Sequence, residues 1–412
     1  MQTIISNNNI IEFINYLKSV DTSINQVFSY DYIEVPSFTT IKNFKYNNLR
    51  KLRKNGSGVL LYNVNLVDKN LVKNIKKINK IMDYAILNFN SNISMEKIEN
   101  LLNENNIKLY GYANYYDKNI RNIVALIGKK FDFNNKFKLK KVLAVIHCYN
   151  EEDCIEFTIR HLIRNGIDVK AFDNWSTDNT YDVLKKLKNE FPQNVFIDKF
   201  PTEKTKDNQY HWHEMLENVE NIVRTENYDW FIHYDADEIR QSPISNMNLQ
   251  EYISYVDFLG YNAISNTILD FRVTSANKKI NIFGKDTYFE FGHRPGHFIQ
   301  IKTFKKSSDL ALAFGGGHDA RFSNRKIYPI KILLKHYPLR SIDQANKKIF
   351  IDRLPRFKYE QKKYGWHIQY NKFKTKEKIV FDKKDLILFN DDSKKKLFLE
   401  FISGVGIRRD SN

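Results

Sequence analysis

The sequence predicts an α/β protein built on a mostly parallel, twisted sheet flanked by helices. Three observations support this fold class. Short apolar runs alternate with helical patterns between residues 142 and 234. The first run, 142–146, is continuously apolar, which is typical of a strand buried on both faces of a parallel sheet. Polar clusters follow the runs, at the strand ends where such sheets bind ligands.

The alternation predicts each element of this region in turn. A helical pattern that ends before a glycine separates the first two strands, which makes a β-α-β unit. The predicted strands cover 142–146, 169–172, 195–197 and 230–234, and the predicted helices cover 153–165, 180–190 and 214–225.

The chain as a whole is predicted to contain three parts. Residues 1–138 alternate strand-like runs, such as 58–62 and 83–89, with helix-like runs, such as 71–81. They lack a glycine-rich phosphate loop, and we interpret them as an accessory α/β domain of unknown role. A lysine-rich stretch leads into the main α/β domain, 139–345. Residues 346–412 are predicted to be a C-terminal helical extension whose last apolar run, 397–402, docks as a helix.

Composition limits the class of protein. Of 412 residues, 42% are hydrophobic and 27% charged, which suffices for a large core, and no window approaches the ~18 apolar residues of a membrane span. The first eight residues lack the basic and apolar parts of a secretory signal, so we expect a cytoplasmic protein. The two cysteines, Cys148 and Cys154, indicate neither a disulfide framework nor a thiolate zinc site.

The net charge of +17 favours anionic partners such as phosphates, nucleic acid or an acidic lipid surface. No nucleic-acid recognition motif is present, so we expect no specific nucleic-acid partner. The charge would suit a soluble enzyme that makes peripheral contact with an anionic inner membrane face.

Two carboxylates after the fourth strand form the clearest candidate metal site. Side chains alternate along an extended chain, so Asp235 and Asp237 point the same way and Ala236 points the other. Two hard oxygen ligands can then approach one divalent cation, Mg²⁺ or Mn²⁺. Such a cation would neutralise an anionic leaving group such as a phosphate.

Three motifs in order, YNEE (149–152), DNWSTDNT (173–180) and DADE (235–238), resemble the signature of family 2 glycosyltransferases, which share the GT-A fold. KHYPLRS (335–341) and YGWHIQY (364–370) are similar to late motifs of one bacterial branch of that family. The resemblance spans roughly residues 140–372. It implies a metal-dependent, inverting transfer of a sugar from a nucleotide-diphosphate donor to a glycan or glycolipid hydroxyl, in surface polysaccharide assembly.

The resemblance also implies roles for single residues. Asp173 would contact the nucleoside, and His336, at a late strand end, would be a third metal ligand beside Asp235 and Asp237. Loop residues after the first strand would contribute to nucleotide binding, with Tyr149 packing on the base and Glu151 accepting from ribose hydroxyls. Asn150 and Asp235 are assigned to the same nucleotide site.

The tail after Ser341 carries several cations, and we expect most of them to form a solvated basic face. Arg340 is the exception: it lies close to His336 in the sequence and could face the diphosphate. The other members of this predicted face are Lys347, Lys348, Arg353 and Arg356.

An inverting transfer needs a base within hydrogen-bond reach of the acceptor hydroxyl. Asp319, after a glycine run that permits close approach, is the first candidate, and Asp270 and Glu290 are alternatives. The Glu-Asp pair of the family is not evident at the usual place. The sequence therefore leaves the base open.

Several polar residues have a structural interpretation that we prefer. Asp178 would cap the following helix, and His211 and His213 lack the partners of a zinc site. The segment around His293 and His297 is interpreted as a surface turn.

Two other functions remain open at this level. A metal-dependent nucleotidyl or phosphoryl transferase could use the same carboxylates. A non-catalytic protein that binds carbohydrate or nucleic acid would account for the basic charge and the many aromatic residues.

Overall fold

The chain divides into two compact units in the computed structural model. The first comprises residues 1–135 with 390–407, and the second comprises 136–389 with 408–412. The structure describes residues 12–14, 16–17, 26–29, 41–43, 58–64, 84–90, 94–117, 120–128, 137–205, 208–244, 247–274, 280, 287–292, 300–368, 371, 373 and 379–404.

The first unit is built on a six-stranded sheet of order β2-β1-β3-β4-β6-β5. The strands β2, β1, β3 and β4 run parallel, and β6 is antiparallel to both β4 and β5. Its elements are β1 Gln26–Ser29, β2 Ile41–Asn43, β3 Gly58–Val64, β4 Tyr84–Asn90, α1 Met95–Glu104, β5 Lys108–Asp117 and β6 Ile120–Gly128.

Apolar residues of β4 and β6 pack against α1 in this unit. Leu87, Phe89, Ile98 and Leu102 are fully buried in one cluster. Ser94 begins the helix, since its side chain accepts the N–H of Lys97. The predicted strands at 58–62 and 83–89 are confirmed, whereas the predicted helix at 71–81 lies outside the described residues.

The second unit contains a ten-stranded mixed sheet whose main path is β11-β16-β12-β15-β10-β7-β8-β9, with β14 and β18 at the side. The ten strands of this sheet are β7 Val142–Cys148, β8 Asp168–Asp173, β9 Val195–Lys199, β10 Trp230–Tyr234, β11 Glu238–Gln241, β12 Ala263–Phe271, β14 Tyr288–Phe291, β15 Ile301–Lys305, β16 Ile327–His336 and β18 Ile387–Leu388. Two short strands, β13 Val273–Thr274 and β17 Val380–Phe381, pair in a separate two-stranded sheet. The second unit also contains helices. Its α-helices are α2 Ile155–Arg164, α3 Thr180–Glu190, α4 Trp212–Thr225, α5 Leu249–Phe258, α6 Ile342–Asn346 and α7 Lys358–Tyr364. A π-helical segment, Lys347–Arg353, follows α6 directly.

The fold-class prediction is confirmed by this unit. The strands β10, β7, β8 and β9 are parallel neighbours, and every residue of β7 and β10 is buried, as continuous apolar runs indicate. The antiparallel pairs of β15 with β10 and β12 make the sheet mixed. Helices flank this sheet, which is consistent with a GT-A fold.

The last two helices, α8 Asp391–Lys396 and α9 Phe398–Ser403, lie in the first unit. There Phe398 packs so closely on β5 that a Cβ at Gly111 would lie 2.3 Å from its side chain. The segment predicted as a C-terminal extension is thus divided, with 346–389 in the second unit. Among the described helices, none is both long and apolar enough to cross a bilayer.

Replacement of Gly166 tests the end of α2. Gly166 has a φ of 73°, and an added Cβ would lie 2.2 Å from Oε1 of Gln250, whose Nε2 donates to Lys140 O at 2.9 Å. Gly260 has a similar φ of 82° with open space around it, so it serves as the matched control. We expect Gly166→Ala to lower the free energy of unfolding in urea by about 1 kcal/mol more than Gly260→Ala does. The reason is that the added Cβ displaces Gln250, and the hydrogen bond of Gln250 to Lys140 is worth about 1 kcal/mol. Equal losses would contradict this account.

Candidate functional site

Three loops meet at one rim of the second unit's sheet because β7, β8 and β10 are parallel and end at the same edge. Cys148 is in register with Asp173, and Ile146 with Tyr234. Backbone N–H groups link the loops: Asn150 donates to Ser176 Oγ at 3.0 Å. The predicted convergence of the three polar clusters is therefore present.

The first two loops are locked to each other in an unusual backbone conformation. Asn150 and Trp175 have φ values of 55° and 59°, a region that asparagine tolerates and a bulky residue rarely adopts. The Asn150 side chain accepts the N–H of Thr177 at 2.8 Å and donates to Asp352 at 2.7 Å. Asp178 accepts the N–H of Thr180, the first residue of α3, at 2.9 Å, although the N-cap position is Asn179.

Asp235 is held by a buried lysine. Lys302 Nζ on β15 lies 2.5 Å from Asp235 Oδ2 and 3.3 Å from Glu238 Oε1, and Glu238 also binds Arg240 at 2.6 Å. Burial works to raise the pKa of Asp235, but the adjacent Lys302 outweighs it and holds that pKa well below the ordinary value. Asp235 is thus an ion-paired carboxylate.

Asp237 faces His336. Nε2 of His336 lies 3.8 Å from Asp237 Oδ1, and Nδ1 lies 2.7 Å from Asp270 Oδ1. Burial lowers the pKa of His336, but the hydrogen bond to Asp270 and the charge of Asp237 outweigh it and raise the pKa above the ordinary value. Asp270 therefore fixes the imidazole with Nε2 towards Asp237.

Asp237 and His336 offer two ligand atoms to a divalent cation, but Asp235, Asp237 and His336 are not among the described groups of three whose ligand atoms all lie within 4.8 Å of one another. An oxygen of Asp237 and a nitrogen of His336 are ligand types that Mn²⁺ accepts, and a histidine oriented by a carboxylate behind it is common in metal sites. From the sequence, Asp270 was only a candidate for the base. Its orienting role follows from register, since Asp270 and His336 are partners on β12 and β16.

A second group of potential ligands lies nearby, but arginine occupies it. Ligand atoms of Glu151, Asp153 and Cys154 lie within 4.8 Å of one another. Arg340 binds Glu151 at 2.6 Å and Asp153 at 2.7 Å, and burial raises the pKa of the Cys154 thiol. The guanidinium already supplies the positive charge here.

The tail cations form the expected solvated face only in part: Lys347 is exposed, but Lys348 is 6% exposed and Arg356 5%. Lys348 Nζ contacts Glu151 Oε1 at 2.9 Å and Asp237 Oδ2 at 2.8 Å, and Arg353 approaches the same Glu151 oxygen at 3.4 Å. The expectation was wrong for Lys348, Arg353 and Arg356, because their partners lie in distant loops and no local pattern indicates that.

The predicted nucleoside side is compact. Asp173 is fully buried and accepts the N–H of Ser176 at 3.2 Å, and burial raises its pKa. The Arg356 guanidinium lies 3.8 Å from the centre of the Tyr149 ring and donates to Asn174 Oδ1 at 2.6 Å. One face of the Tyr149 ring is thus covered by a cation.

The candidate bases differ in their contacts. Asp319 binds Arg321 at 2.8 Å and Arg325 at 2.6 Å. Burial acts to raise the pKa of Asp319, and the two arginine bonds outweigh it and lower the pKa. Asp319 pairs in register with Ile301 of β15, and Ile301 packs in the core. The next residue of β15, Lys302, is the one that reaches Asp235.

Glu290 has a different surrounding. It pairs with Arg272 at 2.7 Å, and its side chain is 26% exposed. Glu290, Asp270 and His336 are register partners across β14, β12 and β16, so they share one face of the sheet. The role of base stays a prediction for each candidate.

Four other histidines were given a structural interpretation from the sequence, and the structure describes two of them. His213 stacks on Tyr364 with ring centres 5.0 Å apart, and His211 lies 3.3 Å from Glu214. His293 and His297 fall outside the described residues.

Comparison with known families agrees with this geometry. Residues 143–238 match the family model described as glycosyl transferase family 2. The matched range includes all three rim loops and supports a glycosyltransferase that uses a nucleotide-sugar donor. Among curated proteins, none matches the chain.

A buried histidine beneath the rim predicts acid sensitivity. Burial lowers the pKa of His147 from 6.5 to about 3, with His233 adding to the effect, and its ring stacks on Phe172. Between these pKa values the unfolded chain binds a proton that the folded chain does not, so stability falls as the pH drops below about 6.5. We expect His147→Phe, which keeps a stacked ring, to remove about 2 kcal/mol of the loss between about pH 7.5 and pH 5. The measurement is the free energy of unfolding in urea at each pH, and an equal loss in His147→Phe and the original protein would contradict this account.

Proposed function

We propose that the protein is a metal-dependent, inverting glycosyltransferase. It would move a sugar from a nucleotide-diphosphate donor to a hydroxyl of a glycan or glycolipid, in surface polysaccharide assembly. One observation carries the proposal: the family match covers the rim loops, and at this same rim Asp237 faces a histidine that Asp270 orients.

In this proposal the rim divides into a nucleoside side and a diphosphate side. Asp173, Tyr149 and Asn150 belong to the nucleoside side, where Arg356 and the fixed loop backbones limit the space for a base. Glu151 orients cations towards the diphosphate side, and Arg340 is one of them.

Asp237 and His336 would hold the cation, Mn²⁺ or Mg²⁺. When bound, it would act as a Lewis acid on the diphosphate. Asp235 contributes through its pair with Lys302, which brings a buried positive charge to the donor side. His336 keeps its orientation through Asp270, so the ligand nitrogen is directed before donor arrives.

We propose Glu290 as the base, ahead of Asp319. Two arginines bind Asp319 and lower its pKa, which makes it a weak proton acceptor. Among the described residues, Glu290 has one ion pair, with Arg272. It lies in the same cross-strand row as His336, two strands or about 10 Å away, a span that a sugar ring can bridge.

We also propose that the protein is cytoplasmic and makes peripheral contact with an anionic membrane face. The net charge of +17 supports this location. Phe350 and Ile351, on the π-helical segment, are 44% and 68% exposed beside the exposed Lys347. Apolar tips next to a lysine suit the interface of an anionic bilayer.

The central test is a panel of nucleotide sugars with Mn²⁺ or Mg²⁺ and an oligosaccharide or glycolipid acceptor. We expect release of a nucleoside diphosphate from one donor, and Asp237→Asn should lower kcat/KM by about 10²–10³-fold because the cation is lost from the diphosphate. Asp182→Asn, at an exposed carboxylate on α3, is the matched control and should retain activity.

Other products would overturn the proposal. Release of pyrophosphate or inorganic phosphate from nucleoside triphosphates, without sugar transfer, would favour a nucleotidyl or phosphoryl transferase. Absence of turnover with every donor, together with carbohydrate or nucleic-acid binding, would favour a non-catalytic protein.

The base assignment is tested by two variants in parallel. Glu290→Gln should lower kcat by about 10²–10⁴-fold with KM and melting temperature close to the original, since only proton transfer is lost. Asp319→Asn should chiefly lower the melting temperature, because Arg321 and Arg325 lose a charged partner. A kcat loss confined to Asp319→Asn would return the role to Asp319.

A further inference from the structure

Lys348 occupies an unexpected position for an enzyme that holds a divalent cation. Its Nζ lies 2.8 Å from Asp237 Oδ2 and 2.9 Å from Glu151 Oε1. The ammonium thus bridges two carboxylates, one of which is the candidate metal ligand. A lysine and a divalent cation compete for the same negative charge.

The charges around this lysine are already balanced. We define the rim cluster as Glu151, Asp153 and Asp237 with Arg340, Lys348 and Arg353, which are linked by ion pairs. The six side chains comprise three anions and three cations. A divalent cation that enters alone would leave excess positive charge next to Lys348, and a diphosphate that enters alone would leave excess negative charge.

Two cations of the cluster contact Asp237, Lys348 at 2.8 Å and Arg340 at 3.9 Å, and Lys348 can leave without disturbing the rest of the cluster. Arg340 is fixed by a forked contact to Asp153 and by a bond to Tyr337 O at 3.1 Å. Lys348 carries its charge on a flexible chain with rotatable donors. If its ammonium turns away, Glu151 keeps both arginines as partners.

The backbone under Lys348 is suited to this movement. In a π-helix, residues five apart lie on one face, which brings Lys348 and Arg353 to the same Glu151 oxygen. The buried Ile349 anchors the segment, and Asp352 ties it to Asn150. The segment can therefore stay in place while one side chain moves.

We propose that Lys348 is an exchangeable cation that pairs with Asp237 in the absence of donor and turns to the diphosphate when metal and nucleotide bind together. This inference rests on the proposed function. It makes metal binding and nucleotide binding cooperative, since each supplies the charge that the other requires, and the coupling is reciprocal. Lys348 is then a diphosphate-binding residue as well as a competitor of the metal.

The test measures Mn²⁺ binding by the electron paramagnetic resonance signal of free Mn²⁺, with and without UDP, GDP, CDP or ADP. For the original protein we expect weak binding of Mn²⁺ alone and binding tighter by about 5–150-fold with one nucleotide. Lys348→Met should bind Mn²⁺ alone about tenfold more tightly, because Asp237 loses its resident cation, and should lose most of the nucleotide effect. Lys347→Met, at the exposed neighbour, is the matched control and should behave like the original protein.

Two outcomes would overturn the inference: unchanged or weaker Mn²⁺ binding in Lys348→Met, or an undiminished nucleotide effect. If Lys348→Met does not fold, Lys348→Arg replaces it, and its forked group should weaken Mn²⁺ binding with and without nucleotide by holding both carboxylates. Equal Mn²⁺ binding in Lys348→Arg and the original protein would count against the inference. Sugar transfer without the Lys348 effect would refute this inference alone, whereas the Lys348 effect without sugar transfer from any donor would refute the proposed function alone.

Discussion

The second unit depends on the neutralisation of carboxylates that its topology buries. Parallel strands deliver Glu151, Asp235 and Asp237 to one rim, where the side chains of Glu151 and Asp237 are largely shielded from water and that of Asp235 is partly shielded. A buried charge is strongly unfavourable unless it is paired and hydrogen-bonded, so each carboxylate requires a cation. Lys302 and Lys348 meet this requirement at the Asp-Ala-Asp pair. The arrangement of the later strands and of the tail follows from this need.

The chain supplies the two signs of charge from different regions. The family match, 143–238, contains the carboxylates of the three rim loops. Their partners come afterwards: Lys302 from β15, His336 from β16, and Arg340 and Lys348 from the tail. The matched segment therefore cannot form a charge-balanced site by itself. The later residues complete it.

The parts of the structure that local pattern determines could be predicted from the sequence. Continuous apolar runs gave β7 and β10, and helical periodicity with a glycine stop gave α2. Parallel topology then brings the strand ends together, so the meeting of the three motifs also follows. The mixed half of the sheet was harder to predict, because antiparallel partners such as β15 are selected by tertiary packing rather than by periodicity.

There is a physical reason why the cations of the site could not be predicted from the sequence. A lysine that pairs with a carboxylate 111 positions away has the same sequence surroundings as a solvated lysine. The π-helical segment makes the prediction harder still, because its five-residue spacing does not match the 3.6-residue pattern by which helices are recognised. Asp319 shows the converse: this carboxylate after a glycine run was predicted to be the base, and its partners Arg321 and Arg325 lie close in sequence.

The identity of each cation has a physical consequence for the site. Arginine presents a rigid fork, and Arg340 uses it to hold Glu151 and Asp153 together. Lysine presents a single charge on a flexible chain, which can change partners without moving the backbone. A lysine contacts each carboxylate of the Asp-Ala-Asp pair, whereas Arg340 joins Glu151 to Asp153, and Lys348 is shared between Glu151 and Asp237. In the exchange that we propose, the rigid Arg340 holds the frame of the rim, and Lys348 lies where incoming charge has to be accepted.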